Sequence, residues 1–189
     1  MRFDELLTRP DGPAVAEELA ALRRPGRHVV KGVHQDSPRE YWHFRLDIDE
    51  QQHRWTLDRS DQSTIAYRDG VLRGEDGPFE ETFEHSTVAG RVVRMAMPDL
   101  MLRWGRGPES FHPVLVQHVG QHSILVTFEH REDPATRTTL VVDERDGIAR
   151  RSLEYGEATI VTGVRAVDAG EVLPPAHFEP LTDWIRPSY

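Results

Sequence analysis

The sequence contains no cysteine, and Lys31 is the only lysine among 23 basic residues. Without cysteine the chain has no disulfide, no zinc site built on thiolates and no thiol nucleophile. The net charge is -9 and the pI is about 5.5, so the basic surface that binds phosphate backbones is missing. We therefore expect no nucleic-acid partner.

Long apolar runs are also missing. No segment approaches 18 apolar residues, so no transmembrane helix is predicted, and the first residues (MRFDELLTRPDG) lack the apolar core of a signal peptide. We therefore expect a cytoplasmic protein. At 189 residues the chain is long enough for one domain with a substantial core, and we interpret 1–189 as a single domain.

Two Asp-Gly pairs indicate tight turns between strand-like runs. Asp146-Gly147 lies between Leu140 to Val142 and Ile148 to Tyr155. Two-residue hairpin turns favour Asp-Gly because glycine has no Cβ to clash at positive φ. Residues 111–167 are therefore predicted to form the main antiparallel meander. Asp69-Gly70 predicts a second hairpin in the first half of the chain.

Apolar and polar residues alternate clearly between Tyr41 and Ile48, and Trp55 and Leu57 continue this alternation after a turn. A period of two residues is typical of a strand with one buried face. Residues 27–73 are therefore predicted to contain the first strands of the sheet.

Helical spacing is found at the start of the chain. Phe3 to Leu7 and Pro13 to Leu22 predict two short helices within residues 1–23, with Asp11 as a cap. Residues 24–26 (Arg-Pro-Gly) then end the second helix.

A second helical segment is predicted in the middle of the chain, at residues 91–104. This stretch is dense in Met, Leu and Val without a period of two, and Pro98 followed by Asp99 suits the first turn of a helix. The proline-rich residues 168–189 instead predict an extended tail that lies on the domain.

The order of these elements resembles that of LolA-like proteins, a superfamily that includes bacterial lipoprotein carriers and related sensor domains. The resemblance lies mainly in Leu140 to Val167, with weaker similarity at Gly120-Gln121 and at the proline-flanked Phe178. It implies an α+β fold in which a strongly curved antiparallel β half-barrel is covered on its concave face by helices. It also implies an apolar cavity between the sheet and the helices.

We predict that this cavity binds a hydrophobic small molecule or an acyl chain without chemistry of its own. Methionine side chains adapt to irregular ligands, and aromatic side chains supply large contact areas. An ordinary hydrophobic core explains the same residues equally well. The predicted ligand-binding residues are Trp42, Phe44, Trp55, Met95, Met101, Trp104 and Phe128.

Metal and cofactor sites are not predicted. His118 and His122 are four residues apart, but Gly120 between them predicts a turn, so they do not form the helical metal motif. No phosphate-binding glycine loop and no Rossmann fingerprint occur, and we expect no cofactor. The catalytic residues are unknown, since Ser110 and Ser123 lie near histidines only in sequence.

Two alternatives to a ligand-binding domain remain. The first is a cytoplasmic biosynthetic enzyme of the cyclase or isomerase type that uses the same cavity. The second is a sensor or protein-interaction domain, which leaves a protein partner open. A histidine or carboxylate that points into the cavity favours the enzyme, and an exposed apolar patch outside it favours the interaction domain.

Overall fold

The computed structural model describes residues 3–37, 40–61, 63–74, 77–83, 92–101, 104 and 111–178. Its main feature is one antiparallel sheet of 11 strands, with few helical residues. The strands are β1 Arg27–Ser37, β2 Glu40–Asp49, β3 Arg54–Arg59, β4 Thr64–Arg68, β5 Val71–Gly74, β6 Gly77–Glu80, β7 Phe111–His118, β8 Ser123–His130, β9 Arg137–Asp143, β10 Ala149–Glu154 and β11 Glu157–Ala166. The helical elements are a 3-10 turn at Arg9–Asp11, α1 at Gly12–Ala20, α2 at Val93–Ala96 and a second 3-10 turn at Pro98–Leu100.

The sheet has the order β6-β5-β4-β3-β2-β1-β11-β10-β9-β8-β7. Each half is a meander of sequential neighbours, and the first and last strands pair in the centre of the sheet. Within the described residues the two edge strands, β6 and β7, do not pair with each other, so the sheet stays open. The predicted antiparallel sheet is confirmed, and its open form is consistent with a half-barrel. None of the described helices has the length and apolar composition needed to cross a membrane.

Edge strand β7 is covered by the N-terminal residues. Asp4 N–H donates to the Val116 carbonyl at 2.9 Å, and Leu7 N–H donates to the Val114 carbonyl at 2.9 Å. The helix predicted at Phe3 to Leu7 is therefore wrong. Hydrogen bonds to β7 hold this stretch in place, and they protect an edge strand that would otherwise expose unpaired backbone groups.

The predicted helix after Pro13 is confirmed as α1, but Asp11 makes no side-chain cap hydrogen bond to α1 and instead bonds back to Thr8, the cap of the preceding 3-10 turn. The Asp11 carboxylate accepts hydrogen bonds from the Thr8 backbone N–H at 2.7 Å and from the Thr8 hydroxyl at 2.8 Å. Such a bond satisfies a backbone donor that has no partner within the helix. The chain therefore enters α1 from a fixed direction.

The two Asp-Gly pairs form different turns. Asp69 and Gly70 have φ values of 54° and 77°, so they form the predicted two-residue turn between β4 and β5. The turn between β9 and β10 is wider than predicted, because the Gly147 N–H donates to the Asp143 carbonyl at 2.8 Å. Gly147 still has φ of 71°, so glycine is needed here, although the two-residue prediction is wrong.

One face of the sheet, called the inner face here, packs its buried side chains against α1, residues 92–101 and Trp104. Phe44, Leu46, Trp55 and Phe128 are almost fully buried on this face. A predicted helix at 91–104 is present only as the four-residue α2 and the 3-10 turn that begins with Pro98. Residues 91, 102 and 103 lie outside the described residues.

An ion-pair cluster ties residues 92–101 to the end of α1. Arg23 contacts Glu50 at 2.8 Å and Asp99 at 3.0 Å, and Asp99 is buried. Burial raises the pKa of Glu50 and the charge of Asp99 adds to this effect, whereas Arg23 opposes it. The cluster therefore fixes the Met-rich segment relative to the sheet.

The C-terminal tail lies on the opposite, outer face of the sheet up to Phe178. Arg27 donates to the Glu171 carbonyl at 2.7 Å, and Arg45 donates to the Pro174 carbonyl at 2.7 Å. The tail thus lies on the domain between Glu171 and Phe178, whereas residues 168–171 form a turn in which the Glu171 N–H donates to the Asp168 carbonyl at 3.1 Å. Residues 179–189 of the predicted tail lie outside the described residues.

Candidate functional site at the polar end of the inner face

The seven predicted ligand-binding residues all belong to, or pack against, the core of the inner face. Six of them are almost fully buried, and Trp42 is partly buried at the edge of this core. Trp104 packs edge-to-face on Phe128 with ring centroids 4.8 Å apart, and its Nε1–H donates to the Pro98 carbonyl at 2.9 Å. The apolar surface of the sheet and that of the Met-rich segment are therefore continuous.

Three cavities each contain one of these residues. Met101 lines a cavity of about 10 Å³, Trp55 one of about 350 Å³ and Phe44 one of about 310 Å³. None of these three cavities contains a second member of the set. The role of the seven residues as ligand contacts therefore stays a prediction.

The inner face becomes polar near Met101. A single row of cross-strand neighbours runs over six strands, and it changes from apolar to polar after its second member before it ends in a tryptophan. Its members, the inner row, are Val126, Leu140, Ser152, Thr159, His34 and Trp42. Ser152, Thr159 and His34 are nonetheless buried. Buried polar groups require hydrogen-bond partners, so this part of the row needs a defined network.

His34 is the centre of that network and is only 2% exposed. Its Nε2 lies 2.8 Å from Asp36 Oδ1, and its Nδ1 lies 2.7 Å from Thr159 Oγ1. Because an ionised carboxylate only accepts hydrogen bonds, we assign the proton to Nε2. In the neutral imidazole Nδ1 then accepts the Thr159 hydroxyl proton.

Asp36 extends the network toward Trp42 and Arg59. Partial burial alone would raise the pKa of Asp36, but hydrogen bonds from Trp42 Nε1 and His34 Nε2 lower the pKa below its ordinary value. The Arg59 guanidinium lies 4.2 Å from the centroid of the Trp42 ring, a cation–π contact. Trp42 is therefore fixed on one side by a carboxylate and on the other by a cation.

The polar end of the inner row opens on the small cavity beside Met101. Arg94 reaches this cavity from α2, and Glu154 and Glu157 reach it from the hairpin between β10 and β11. A volume of about 10 Å³ holds roughly one water molecule. The site thus combines a methionine, an imidazole, a guanidinium and two carboxylates.

A carboxylate, an imidazole and a hydroxyl in series also form the arrangement that activates nucleophiles in hydrolases. Thr159 is 4% exposed, and the cavity beside it has no room for a substrate carbonyl. A hydrogen-bond network that satisfies buried polar groups explains the geometry of the described residues without catalysis.

The histidine pair considered from sequence does not form a metal site with a third ligand. His118 stacks on Phe3 with ring centroids 3.9 Å apart and lies 3.7 Å from Glu144. Among the described residues no group of three or more His, Asp or Glu side chains has the geometry to hold a metal ion. Ser123 lies at the start of β8, and Ser110 lies outside the described residues.

Sequence reasoning missed His34, Asp36 and Thr159. The signal that would have identified His34 was present, since the alternation of β1 places it on the same face as Val30 and Gly32. Thr159 could not be identified from the sequence in this way, because it contacts His34 only through the pairing of β1 with β11, 125 residues apart in the chain.

No protein-family model matches the chain, and no curated protein matches it. Among solved structures, the chain is similar to MucB, with 14% identity over 86% of this chain and 61% of MucB and a TM-score of 0.50. A LolA superfamily protein from Nitrosomonas europaea has 10% identity over 84% of this chain and 94% of that protein, with a TM-score of 0.37. The Pseudomonas aeruginosa MucA/MucB complex gives 14% identity, coverage of 85% and 59%, and a TM-score of 0.46.

The similarity to MucB confirms the LolA-like fold that the sequence predicted. At 14% identity this similarity shows the fold alone. The chain spans about three fifths of the length of MucB. The cytoplasmic location stays a prediction.

Proposed function

We propose that this domain binds a hydrophobic or acylated small molecule in the cytoplasm, between the inner face of the sheet and the segment 92–104. In this proposal the sheet is the curved half-barrel, and α1, α2 and the 3-10 turn at Pro98 cover its concave face. The domain stores or carries the ligand and catalyses no reaction.

The observation that carries the proposal is the change of polarity along the inner row. Val126 and Leu140 continue the apolar surface of Phe128, Met95 and Trp104, whereas the next three members of the row, Ser152, Thr159 and His34, form a polar cluster beside Met101. An acylated molecule has the same distribution of polarity, with an apolar chain and a polar end. Its chain would lie along the apolar part, and its polar end would meet the small cavity.

Methionine side chains are the ones that would change conformation to make room for such a ligand. Met95 and Met101 are both buried in the core, one in α2 and one directly after the 3-10 turn. Methionine has three rotatable bonds and fills irregular space at low cost. A ligand chain would therefore enter by displacing these two side chains, while the sheet behind them stays unchanged.

Thermal unfolding with dodecanoic acid or a hydrophobic dye tests the proposal. A ligand that binds only the native state raises the melting temperature with increasing concentration. We expect such an increase for the natural protein and its loss in Met101→Trp, which adds volume without charge. His118→Ala, which lies on β7 outside the site, serves as the control and should keep the increase. An unchanged melting temperature with both probes would contradict the proposal.

A protein partner is the second candidate function. MucB has been solved in complex with MucA, and the outer face of this sheet carries exposed apolar side chains at Leu153 and Ile160. An exposed apolar patch is typical of an interaction surface.

A further inference from the structure

The outer face carries a row of apolar side chains directly behind the inner row. We call this the outer row. It continues across the same six strands, and its members are Leu125, Val141, Arg151, Ile160, Val33 and His43. Four of the six are aliphatic. Leu153 extends the apolar surface into the next row and is 43% exposed, and Ile160 is 42% exposed. Removing aliphatic surface from water stabilises a protein by roughly 25 cal/mol per Å², so a segment that covers this row would lower the free energy of the folded state.

The described part of the tail approaches one end of the outer row. The Glu171 carbonyl of the tail accepts a hydrogen bond from Arg27 of β1, and three residues later the Pro174 carbonyl accepts one from Arg45 of β2. His177 and Phe178 then line a cavity with His43 and Thr162. His43 is itself a member of the outer row, so the last described residue lies at the edge of the apolar surface.

The next 11 residues are long enough to cross this surface. An extended chain advances about 3.3 Å per residue, and neighbouring strands are about 4.8 Å apart. Eleven residues therefore span up to about 36 Å, whereas the six strands of the row span about 24 Å. The described tail runs along β1 and β2 and reaches the outer row at His43, so residues 179–189 would turn there to follow the row toward β11.

The composition of residues 179–189 (EPLTDWIRPSY) matches the surface they would meet. Leu181, Trp184 and Ile185 supply apolar area, and Asp183 supplies a charge opposite to that of Arg151 in the centre of the row. Four prolines in the stretch 174–187 favour an extended conformation. We propose that residues 179–189 bind across the outer row of their own molecule.

The absence of cysteine allows a direct test by disulfide formation. In the first variant Thr182→Cys is combined with Ala158→Cys, which lies beside Leu153 on the outer face. In the matched control Thr182→Cys is combined with Ala66→Cys on the outer face of β4. Both variants replace an alanine, and the two alanines are similarly buried. From Phe178, the two alanines are roughly 13 and 16 Å away by strand geometry, so a freely moving tail reaches both.

We expect the disulfide of the Ala158→Cys variant to form within the monomer about tenfold faster than that of the Ala66→Cys control under the same mild oxidation, because docking raises the effective concentration of the two thiols. Adding Trp184→Ala and Ile185→Ala should remove most of this difference, because the apolar contacts direct the tail. Mass spectrometry of the gel-filtered monomer measures both rates.

Equal rates for the two pairs would overturn the proposal and leave the row free for a protein partner. Disulfide-linked dimers would also overturn it, since they would assign the row to a second copy of the chain. Both rates are measured without added ligand, because Ala158 also lines the small cavity on the inner face.

Discussion

The inner and outer rows occupy the same six strands, and each departs from the usual pattern of a half-buried sheet. A sheet with one buried face is normally apolar inside and polar outside. Here the inner row holds Ser152, Thr159 and His34, and the outer row holds Val141, Ile160 and Val33. The polarity is therefore reversed on the central strands β1 and β11, where His34 and Thr159 face inward and Val33 and Ile160 face outward.

This reversal shows that burial in this region is not set by hydrophobicity alone. The polar residues are buried because a hydrogen-bond network satisfies them, with His34 bonded on both ring nitrogens. Ile160 and the neighbouring Leu153 stay more than 40% exposed, because the described part of the tail reaches the outer row only at His43. One strand segment therefore serves a polar site on one face and a docking surface on the other.

The largest expected effect compares two glycines on the central strands. A Cβ at Gly32 would lie 2.2 Å from the Ile160 carbonyl oxygen and 2.5 Å from Phe44 Cζ, whereas a Cβ at Gly163 would meet no atom within 4 Å. We expect Gly32→Ala to lower the free energy of unfolding by about 3 kcal/mol or more, since overpacking displaces the backbone. Gly163→Ala should change it by less than about 1 kcal/mol. Urea unfolding of both variants measures the difference, and equal effects would contradict the close packing on the inner side.

A second comparison uses adjacent residues of β9. Leu140 belongs to the inner row and is buried, and Val141 belongs to the outer row and is partly exposed. Leu140→Ala should cost about 3 kcal/mol, because it removes buried methyl groups and leaves a cavity. Val141→Ala should cost about 1 kcal/mol, since a partly exposed side chain leaves no closed cavity. A larger cost for Val141→Ala, measured by the same unfolding experiment, would mean that the outer row is the true core.

A third comparison uses two threonines of β11. Thr159→Val keeps the shape of the side chain but leaves His34 Nδ1 without the hydroxyl, so we expect a loss of about 2 kcal/mol. Thr162→Val removes an exposed hydrogen bond of 3.3 Å to the Lys31 carbonyl and should cost less than about 0.5 kcal/mol. Similar losses for the two variants would show that the inner network does not stabilise the fold.

The smallest expected effect is the contribution of Asp36 to the loss of stability in acid, to which other carboxylates such as Asp143 also contribute. The folded-state pKa of Asp36 lies below its ordinary value of 3.8, so its contribution is complete above about pH 4 and is lost as the pH falls through the folded-state pKa. Trp42→Phe removes one hydrogen-bond donor to Asp36, and the loss of stability below pH 4 should become smaller. Thermal unfolding between pH 2 and pH 6 measures this change. In an Asp36→Asn background Trp42→Phe should have no further effect on the acid slope, and any such effect would assign the slope to another carboxylate.

Local patterns in the sequence predicted much of the sheet. The alternation from Tyr41 to Ile48 and the Asp69-Gly70 pair are local signals, and the structure confirms a strand and a tight turn at these places. The predicted helix at Phe3 to Leu7 failed because backbone hydrogen bonds to β7, more than 100 residues away, override the local spacing.

The candidate site was harder to predict from the sequence for a similar reason. Its polar members come from β1, β10 and β11, and the pairing of β1 with β11 brings together residues that are more than 100 positions apart. Met101 was predicted from composition and the alternation of β1 could have identified His34, whereas Thr159 could be placed beside His34 only once this pairing was known.

Native mass spectrometry of the freshly purified protein, compared with its Met101→Trp variant, tests the central claim most directly. If the inner face binds an acylated or hydrophobic molecule, a fraction of the natural protein should carry an additional mass of a few hundred daltons that organic solvent releases. The variant should lack this mass while keeping the same circular dichroism spectrum. A natural protein without any bound mass, which also fails to bind added dodecanoic acid in the spectrometer, would contradict the account.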